Sequence, residues 1–148
     1  MIQRHQPIVI PVMQYLQLDE NGELPGLEEQ APFKAVIAQE EPLSAARQQQ
    51  VARWLVEQGG LCVMVCGADS ERWKDDIRAA NLEQVSIEDM QPEQFVMVTL
   101  HPNERLRSVF WHAKKVARHT HVKIKNVVVL HVGRENRSVE YQAMFSKA

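Results

Sequence analysis

The segment LCVMVC, residues 61–66, decides the fold class of this chain, because six apolar residues follow one another between Gly60 and Gly67. A continuous apolar run of this length predicts a strand that is buried on both faces. Such strands belong to parallel sheets whose two faces are covered by helices. The segment therefore predicts an α/β protein.

Strand-like segments recur on both sides of this run. Three of them are apolar and predict buried strands at residues 33–38, 95–101 and 127–132. Residues 8–12 predict an edge strand or a strand end, because Pro11 cannot donate a hydrogen bond to a neighbouring strand. Residues 122–124 are expected to pair at an edge. The polar, turn-rich residues 14–32 predict a long surface connection.

Segments with helical periodicity separate the strands. The expected N-caps of three helices are Ser44, Asp69 or Ser70, and Asn103. Gly59-Gly60 is expected to end the first helix, and Asn81 the second. The apolar positions predicted to face the sheet are Val51, Trp54 and Leu55 in the first helix, Trp73, Ile77 and Ala80 in the second, and Leu106, Val109, Phe110, Ala113, Val116 and Ala117 in the third. Residues 138–145 predict a short fourth helix that packs Val139, Met144 or Phe145 on the sheet.

This alternation predicts one α/β domain over residues 1–148. We expect a three-layer sandwich with a mainly parallel sheet of about four to six strands and helices on both faces. Residues 61–66 and 95–100 are expected to form adjacent inner strands of that sheet.

Composition limits the function. The chain has 148 residues, of which 45% are hydrophobic and 24% charged, as is typical of globular domains. Because the formal net charge is only −2, neither nucleic acid nor an anionic membrane is an expected partner. The longest apolar run is far shorter than the roughly 20 residues of a membrane-spanning helix, and no signal peptide is visible. A cytoplasmic location is therefore expected.

The cysteines and glycines do not predict a cofactor. Cys62 and Cys66 would lie about 13 Å apart along one strand, which is too far for a disulfide. No metal is expected, because the ligand spacing of a zinc site is missing. The turn over residues 66–70 has one glycine, so it matches neither nucleotide-binding fingerprint, although nucleotide binding at this turn stays an open alternative.

Three side chains that could support catalysis come at predicted carboxyl ends of strands, where parallel sheets bind ligands. Cys66 and His101 would form a nucleophile and its base if their strands are neighbours. Asp69 and His101 are expected at the same end of the sheet, within one pocket or its margin. Each residue also has a structural explanation, which we favour: an inert buried thiol, a helix cap and a histidine that satisfies a backbone group.

Charge is unevenly distributed along the chain, and this pattern suits recognition of a protein partner. Acidic residues concentrate before residue 42, with Glu28, Glu29, Glu40 and Glu41 as candidate binding residues. Basic residues concentrate over residues 114–125, and the candidates there are Lys114 and Lys115. These cations also suit the C-terminal end of the third helix. Trp111 is the candidate anchor, since tryptophan is enriched among the residues that dominate binding energy.

Residues 60–132 resemble a family of small bacterial proteins without an established biochemical activity. The resemblance rests on Gly-x-Asp after an apolar strand, a Trp and an Asp-Asp pair in the next helix, an FVM-T-x-H strand and an FW-x-AK helix. The corresponding positions are Gly67, Asp69, Trp73, Asp75, Asp76, Asn81, residues 95–97, Thr99, His101, Phe110, Trp111, Ala113 and Lys114. Leu100 stands where a member has Trp, so no role of that ring is carried over. The family is similar to toxin-neutralising immunity proteins, and the resemblance makes that function admissible.

The sequence thus favours a non-enzymatic protein-binding module without a cofactor, most concretely a bacterial immunity protein that neutralises a toxin domain. The alternative is a small enzyme of the hydrolase or transferase type, with Asp69, His101 and Cys66 at the strand ends.

Overall fold

A computed structural model describes residues 13–148 of the chain. Within these residues, five strands form one parallel sheet in the order β1-β5-β2-β3-β4. The strands are β1 Met13–Leu18, β2 Phe33–Gln39, β3 Gly60–Cys66, β4 Met97–His101 and β5 Asn126–Val132. The α-helices are α1 Ala45–Glu57, α2 Ser70–Gln84, α3 Leu106–Lys115 and α4 Ser138–Lys147, and single 3-10 turns span Glu28–Gln30 and Pro92–Gln94. The predicted α/β fold with a parallel sheet is confirmed.

Helices cover both faces of the sheet, as predicted. Val63 and Val65 of β3 point to one face and pack in a core with Leu55 of α1 and Trp73 of α2. Met64, between them, points to the other face, where the core comes from α3 and α4. Because neighbouring residues of a strand point to opposite faces, a strand covered on both sides is apolar at every position. This explains the uninterrupted run in β3.

The position of β4 corrects the prediction of two inner strands. β4 is parallel to β3 and adjacent to it, but it is an edge strand of the described sheet. Its residues are mostly half-buried, and Thr99 is exposed. The strand also begins at Met97, because the backbone N–H of Val96 instead donates to the Asn81 side chain. An apolar run indicates that a segment packs on the core. Whether the segment becomes an edge strand or a central strand depends on which strands lie beside it.

The first part of the chain departs most from the prediction. The expected strand at residues 8–12 lies outside the described residues. The expected surface connection over residues 14–32 instead begins with β1, which pairs with β5 along its whole length. The remainder is packed on α1, since Trp54 Nε1 donates to the Pro25 carbonyl oxygen at 2.7 Å and Leu27 is buried. Residues 122–124, expected at an edge, form no strand.

Helix ends were partly predictable. Ser44 caps α1 as expected, and Gly59, with φ +106°, follows its end. Asp69 precedes α2 without a capping hydrogen bond from its side chain. The prediction that Asn81 ends α2 is wrong, because the helix continues to Gln84.

Two further corrections concern the last two helices. α3 begins at Leu106, so Asn103 is not its cap, and Arg105 occupies that position. In α4, Tyr141 and Phe145 are buried, whereas Val139 is 87% exposed and does not pack on the sheet. The residues that α4 buries are one turn apart, as expected for one face of a helix.

Candidate functional site

The carboxyl ends of β2 and β5 form the crevice in which open α/β sheets bind ligands. β2 continues into α1 on one face, and β5 continues into α4 on the opposite face. Connections that leave neighbouring strands in opposite directions open a crevice between the strand ends. Beside this crevice, between the ends of β2 and β3 and the helices α3 and α4, lies a cavity of ≈ 290 Å³ that is lined among others by Glu40, Cys66, Arg137 and Tyr141.

Glu40 is the centre of a polar network at this crevice. The Tyr141 hydroxyl donates to Glu40 Oε1 at 2.8 Å, and Arg137 Nε lies 3.1 Å from the same oxygen. His131 Nε2 lies 3.0 Å from it as well, although Nε2 has no well-aligned hydrogen-bond acceptor among the described residues. The carboxylate therefore faces one hydroxyl, one guanidinium and one imidazole.

The proton positions in this network follow from its donors. The Tyr15 hydroxyl accepts from the backbone N–H of Arg137 at 2.9 Å, so its own proton is free to point to Nδ1 of His131. Nδ1 is then the acceptor, and Nε2 carries the proton that faces Glu40. His131 itself is fully buried.

Glu40 is ionised and the two tyrosines are protonated at neutral pH. Partial burial raises the pKa of Glu40, but the hydrogen bond from Tyr141, the nearby imidazole of His131 and the charge of Arg137 lower it overall. Burial, followed by the Glu40 carboxylate, strongly raises the pKa of Tyr141, and burial also raises that of Tyr15. An ionised carboxylate among protonated donors is a stable arrangement, and neither tyrosine is activated as a base.

His101 and Cys66 are neighbours but do not form a nucleophile and base. Cys66 of β3 and His101 of β4 lie opposite each other on adjacent strands, as a nucleophile and its base would require. Both His101 nitrogens are occupied, Nε2 by Thr99 Oγ1 at 2.8 Å and Nδ1 by Glu104 Oε2 at 3.0 Å. The Cys66 thiol points to the Glu104 carbonyl oxygen at 3.6 Å. Burial, and then the charge of Glu104, raise the pKa of this thiol, which opposes formation of a thiolate.

Asp69 and His101 lie at the same end of the sheet, since each follows or ends a parallel strand. The ≈ 290 Å³ cavity is lined by Cys66 but by neither of these two residues. His101 is buried against the ring of His112, at 5.0 Å between ring centres, and Asp69 is exposed. The structure thus places the three candidate catalytic residues at one end of the sheet, but it does not join them in one cavity.

The acidic candidates do not form one surface. Glu28 and Glu29 are exposed and precede β2, whereas Glu40 and Glu41 follow it. The seven residues of β2 separate the two pairs by about 20 Å. Glu40 belongs to the network above, and Glu41 forms an ion pair with Arg134 at 3.0 Å.

Trp111 is half exposed, at 50%, on the outer side of α3. It lines a shallow cavity of ≈ 280 Å³ with Arg107, Ser108 and Lys147. Of the two lysines expected to bind a partner, Lys115 is exposed. Lys114 is engaged within the molecule, since its Nζ donates to the carbonyl oxygens of Phe145 and Ala148 at 2.9 and 3.0 Å.

Sequence reasoning missed the network around Glu40 because its members are far apart in the chain. Tyr15 and His131, for example, are separated by 116 positions. One signal was available, since His131 interrupts an otherwise apolar strand, and a buried polar residue there needs a partner. Among residues 13–148, no group of three or more His, Cys, Asp or Glu side chains could hold a metal ion.

The family model "Domain of unknown function (DUF7684)" matches residues 13–148. No curated protein and no solved structure shows significant similarity to the chain. Within the described residues, no helix has the length and apolar character needed to cross a membrane.

Proposed function

Since the chain belongs to this family of unknown function, we propose from its own geometry that it is a non-enzymatic protein-binding module. In its most concrete form, the proposal is a bacterial, cytoplasmic immunity protein that neutralises a toxin domain. The observation that carries the proposal is the half-exposed Trp111 beside two cations and a shallow cavity.

The binding surface in this proposal consists of Arg107, Ser108, Trp111 and Lys147, and we call it the Trp111 surface. A tryptophan presents a large apolar area with a polar N–H, and such residues dominate the energy of many interfaces. Its neighbours are a guanidinium and an ammonium, and no acidic side chain lines this cavity among the described residues. Lys115, four positions after Trp111 on the helix, adds a further cation on the same side.

This charge favours an acidic partner. Arginine and lysine around an apolar anchor are complementary to carboxylates around an apolar pocket. A cationic partner would need the acidic candidates instead, but these are split between two ends of β2, and Glu40 and Glu41 are already paired within the molecule. We therefore assign the docking role to the basic side of α3.

A small enzyme stays the alternative, and one observation favours it. The ≈ 290 Å³ cavity lies at the carboxyl ends of β2 and β3, the end of the sheet at which this architecture usually binds ligands, and is lined by Glu40, Arg137 and Tyr141. The raised pKa of Cys66 and the occupied nitrogens of His101 weigh against the catalytic roles considered for them.

The proposal predicts that a toxin is encoded beside the gene of this chain, and that toxin is used to test it. Co-expression is expected to restore growth, and the purified proteins are expected to bind. Trp111→Ala should weaken binding about 30-fold or more, because truncation of an anchoring residue costs about 2 kcal/mol or more. Ile87→Ala is the matched control, since Ile87 is 77% exposed but follows α2, away from α3.

Association kinetics test the charge argument. Arg107→Glu and Lys147→Glu should slow association at low salt, and the effect should shrink at high salt. Arg78→Glu, an exposed charge reversal on α2, should leave the rate nearly unchanged. A neighbourhood without a toxin gene, or binding that is insensitive to Trp111 and to these reversals, would contradict the proposal.

A further inference from the structure

A basic cavity lies at the end of the sheet opposite the crevice, where β2 and β5 begin. Two adjoining cavities of ≈ 440 and ≈ 370 Å³ share Lys34, Lys114, Lys123 and Ile124 in their walls. The walls come from the start of β2, the end of α3 and the segment over residues 116–125. We call the two together the basic cavity. Their volumes lie within the range of about 300–1,000 Å³ that is typical of small-molecule sites.

The walls carry positive charge without a counter-charge. Lysines and an arginine line the two cavities: Lys34, Lys114, Lys115, Arg118, Lys123 and Lys125. No Asp or Glu lines either one within residues 13–148. Like charges that face one space repel one another, and a concave surface focuses their field. An anion in the cavity would relieve this repulsion.

Lys34 is the cation for which this argument is strongest. It is half-buried in the second position of β2, where it is followed by four apolar residues. Its Nζ donates to the Ala113 carbonyl oxygen of α3 at 2.8 Å, which compensates the negative end of that helix. An ammonium has three donors, so others stay available to a ligand. Among the described residues, Lys34 forms no ion pair.

The segment that closes the cavity is held in place by His119. This residue is buried, and its Nε2 lies 2.7 Å from the Phe95 carbonyl oxygen, to which it donates. Its Nδ1 accepts from the backbone N–H groups of His121 and Val122, each at 3.1 Å. Three hydrogen bonds to one side chain fix a stretch that lacks regular structure. The backbone that carries these cations is therefore positioned before a ligand arrives, which lowers the entropic cost of binding.

From these observations we infer that the basic cavity binds a small polyphosphate, either inorganic or as part of a nucleotide. Phosphate oxygens accept hydrogen bonds from several ammonium groups at once, and several negative charges are needed to match the walls. Single-stranded nucleic acid is less suited, because none of the described Phe, Tyr or Trp residues lines the cavity to stack on bases. The basic cavity and the Trp111 surface share no lining residue, although Lys115 of the basic cavity lies on the same side of α3 as Trp111. Either proposal can therefore fail alone.

The test uses the purified full chain and calorimetric titration with sodium tripolyphosphate at fixed salt. Lys123→Gln, an exposed cation of the cavity, should weaken binding about threefold, and Lys34→Met about tenfold, because each removes a charge-assisted hydrogen bond. Lys74→Gln on α2 removes the same charge on the other face of the sheet and should leave affinity nearly unchanged. Thermal unfolding with and without tripolyphosphate shows whether each variant is folded and stabilised by the ligand.

The results distinguish a nucleotide from inorganic polyphosphate, and specific binding from unspecific charge attraction. Tighter binding of ATP than of tripolyphosphate would indicate a nucleotide, and equal or weaker binding would indicate inorganic polyphosphate. Equal losses in Lys123→Gln and Lys74→Gln would show unspecific charge attraction and overturn the inference. No binding by the folded chain would overturn it too, as would tighter binding of a single-stranded oligonucleotide than of either phosphate compound.

Discussion

At the scale of single residues, His101 shows how a catalytic pattern can be structural. The ring is buried, its two nitrogens contact Thr99 and Glu104, and His112 packs against it. The first contact lies within β4, and the second joins the strand to the residues that lead into α3. A histidine whose nitrogens are both occupied holds a chain segment in place, whereas a general base needs a nitrogen that reaches its substrate.

We predict that His101→Ala lowers the free energy of unfolding by about 1–3 kcal/mol but leaves biological activity unchanged. The stability loss follows from the loss of two hydrogen bonds at a buried position. Urea unfolding measures the first quantity, and protection against the toxin that the proposed function predicts measures the second. A folded His101→Ala protein without activity would instead support the enzyme alternative.

At the scale of elements, the start of α1 is joined to the connection after β1. The Glu20 carboxylate accepts from the backbone N–H and from the hydroxyl of Ser44, both at 2.6 Å. The buried guanidinium of Arg47 donates to the carbonyl oxygens of Asp19, Asn21 and Gly22. These contacts explain why a segment rich in turn residues is ordered against the helix.

This arrangement makes the attachment sensitive to acid. The hydrogen bonds from Ser44 lower the pKa of Glu20 below its ordinary value of 4.5. Its stabilising effect is therefore complete above pH 4.5 and is lost as the pH falls through the lower value of the folded state. We expect Glu20→Gln to be less stable than the wild type at pH 7, with a difference that shrinks towards pH 3. Urea unfolding at both pH values measures it.

Glu23→Gln, an exposed change in the same connection, is the control and should show no such trend. A stability difference between wild type and Glu20→Gln that is constant from pH 7 to pH 3 would disprove the role of the ionised carboxylate.

At the scale of the whole molecule, the network around Glu40 joins four parts of the chain that are distant in sequence. Tyr15 belongs to the edge strand β1, His131 to β5, Glu40 follows β2, and Tyr141 lies on α4. The ring of His131 also lies 4.8 Å from that of Tyr141. Loss of the central imidazole would leave a cavity and remove the hydrogen-bond partner of Tyr15 at once.

We predict that His131→Ala lowers the free energy of unfolding by about 2–4 kcal/mol, because a fully buried ring and its hydrogen bond are lost. Hydrogen exchange should accelerate first in β1 and α4, which the network attaches to the sheet. His121→Ala, at an exposed histidine, is the control. A loss below about 0.5 kcal/mol, the usual range of surface substitutions, would rule out this role.

The sequence by itself determined the parts of the structure that depend on local pattern. Apolar runs located β2, β3 and β5 because a strand covered on both faces is apolar throughout, and helical spacing located the buried faces of α1 and α2. Ser44 was predictable as a cap because its hydroxyl accepts a hydrogen bond from Arg47, only three positions away.

Only the tertiary structure decided which distant segments meet. The edge position of β4 and the convergence of Lys34 with Lys123 both depend on strand order, which no local pattern records. The same holds for Tyr15 and His131, whose contact exists because β5 enters the sheet between β1 and β2. In a parallel sheet the neighbours of a strand are supplied by crossovers through helices, so sites at the strand ends are assembled only when the chain folds.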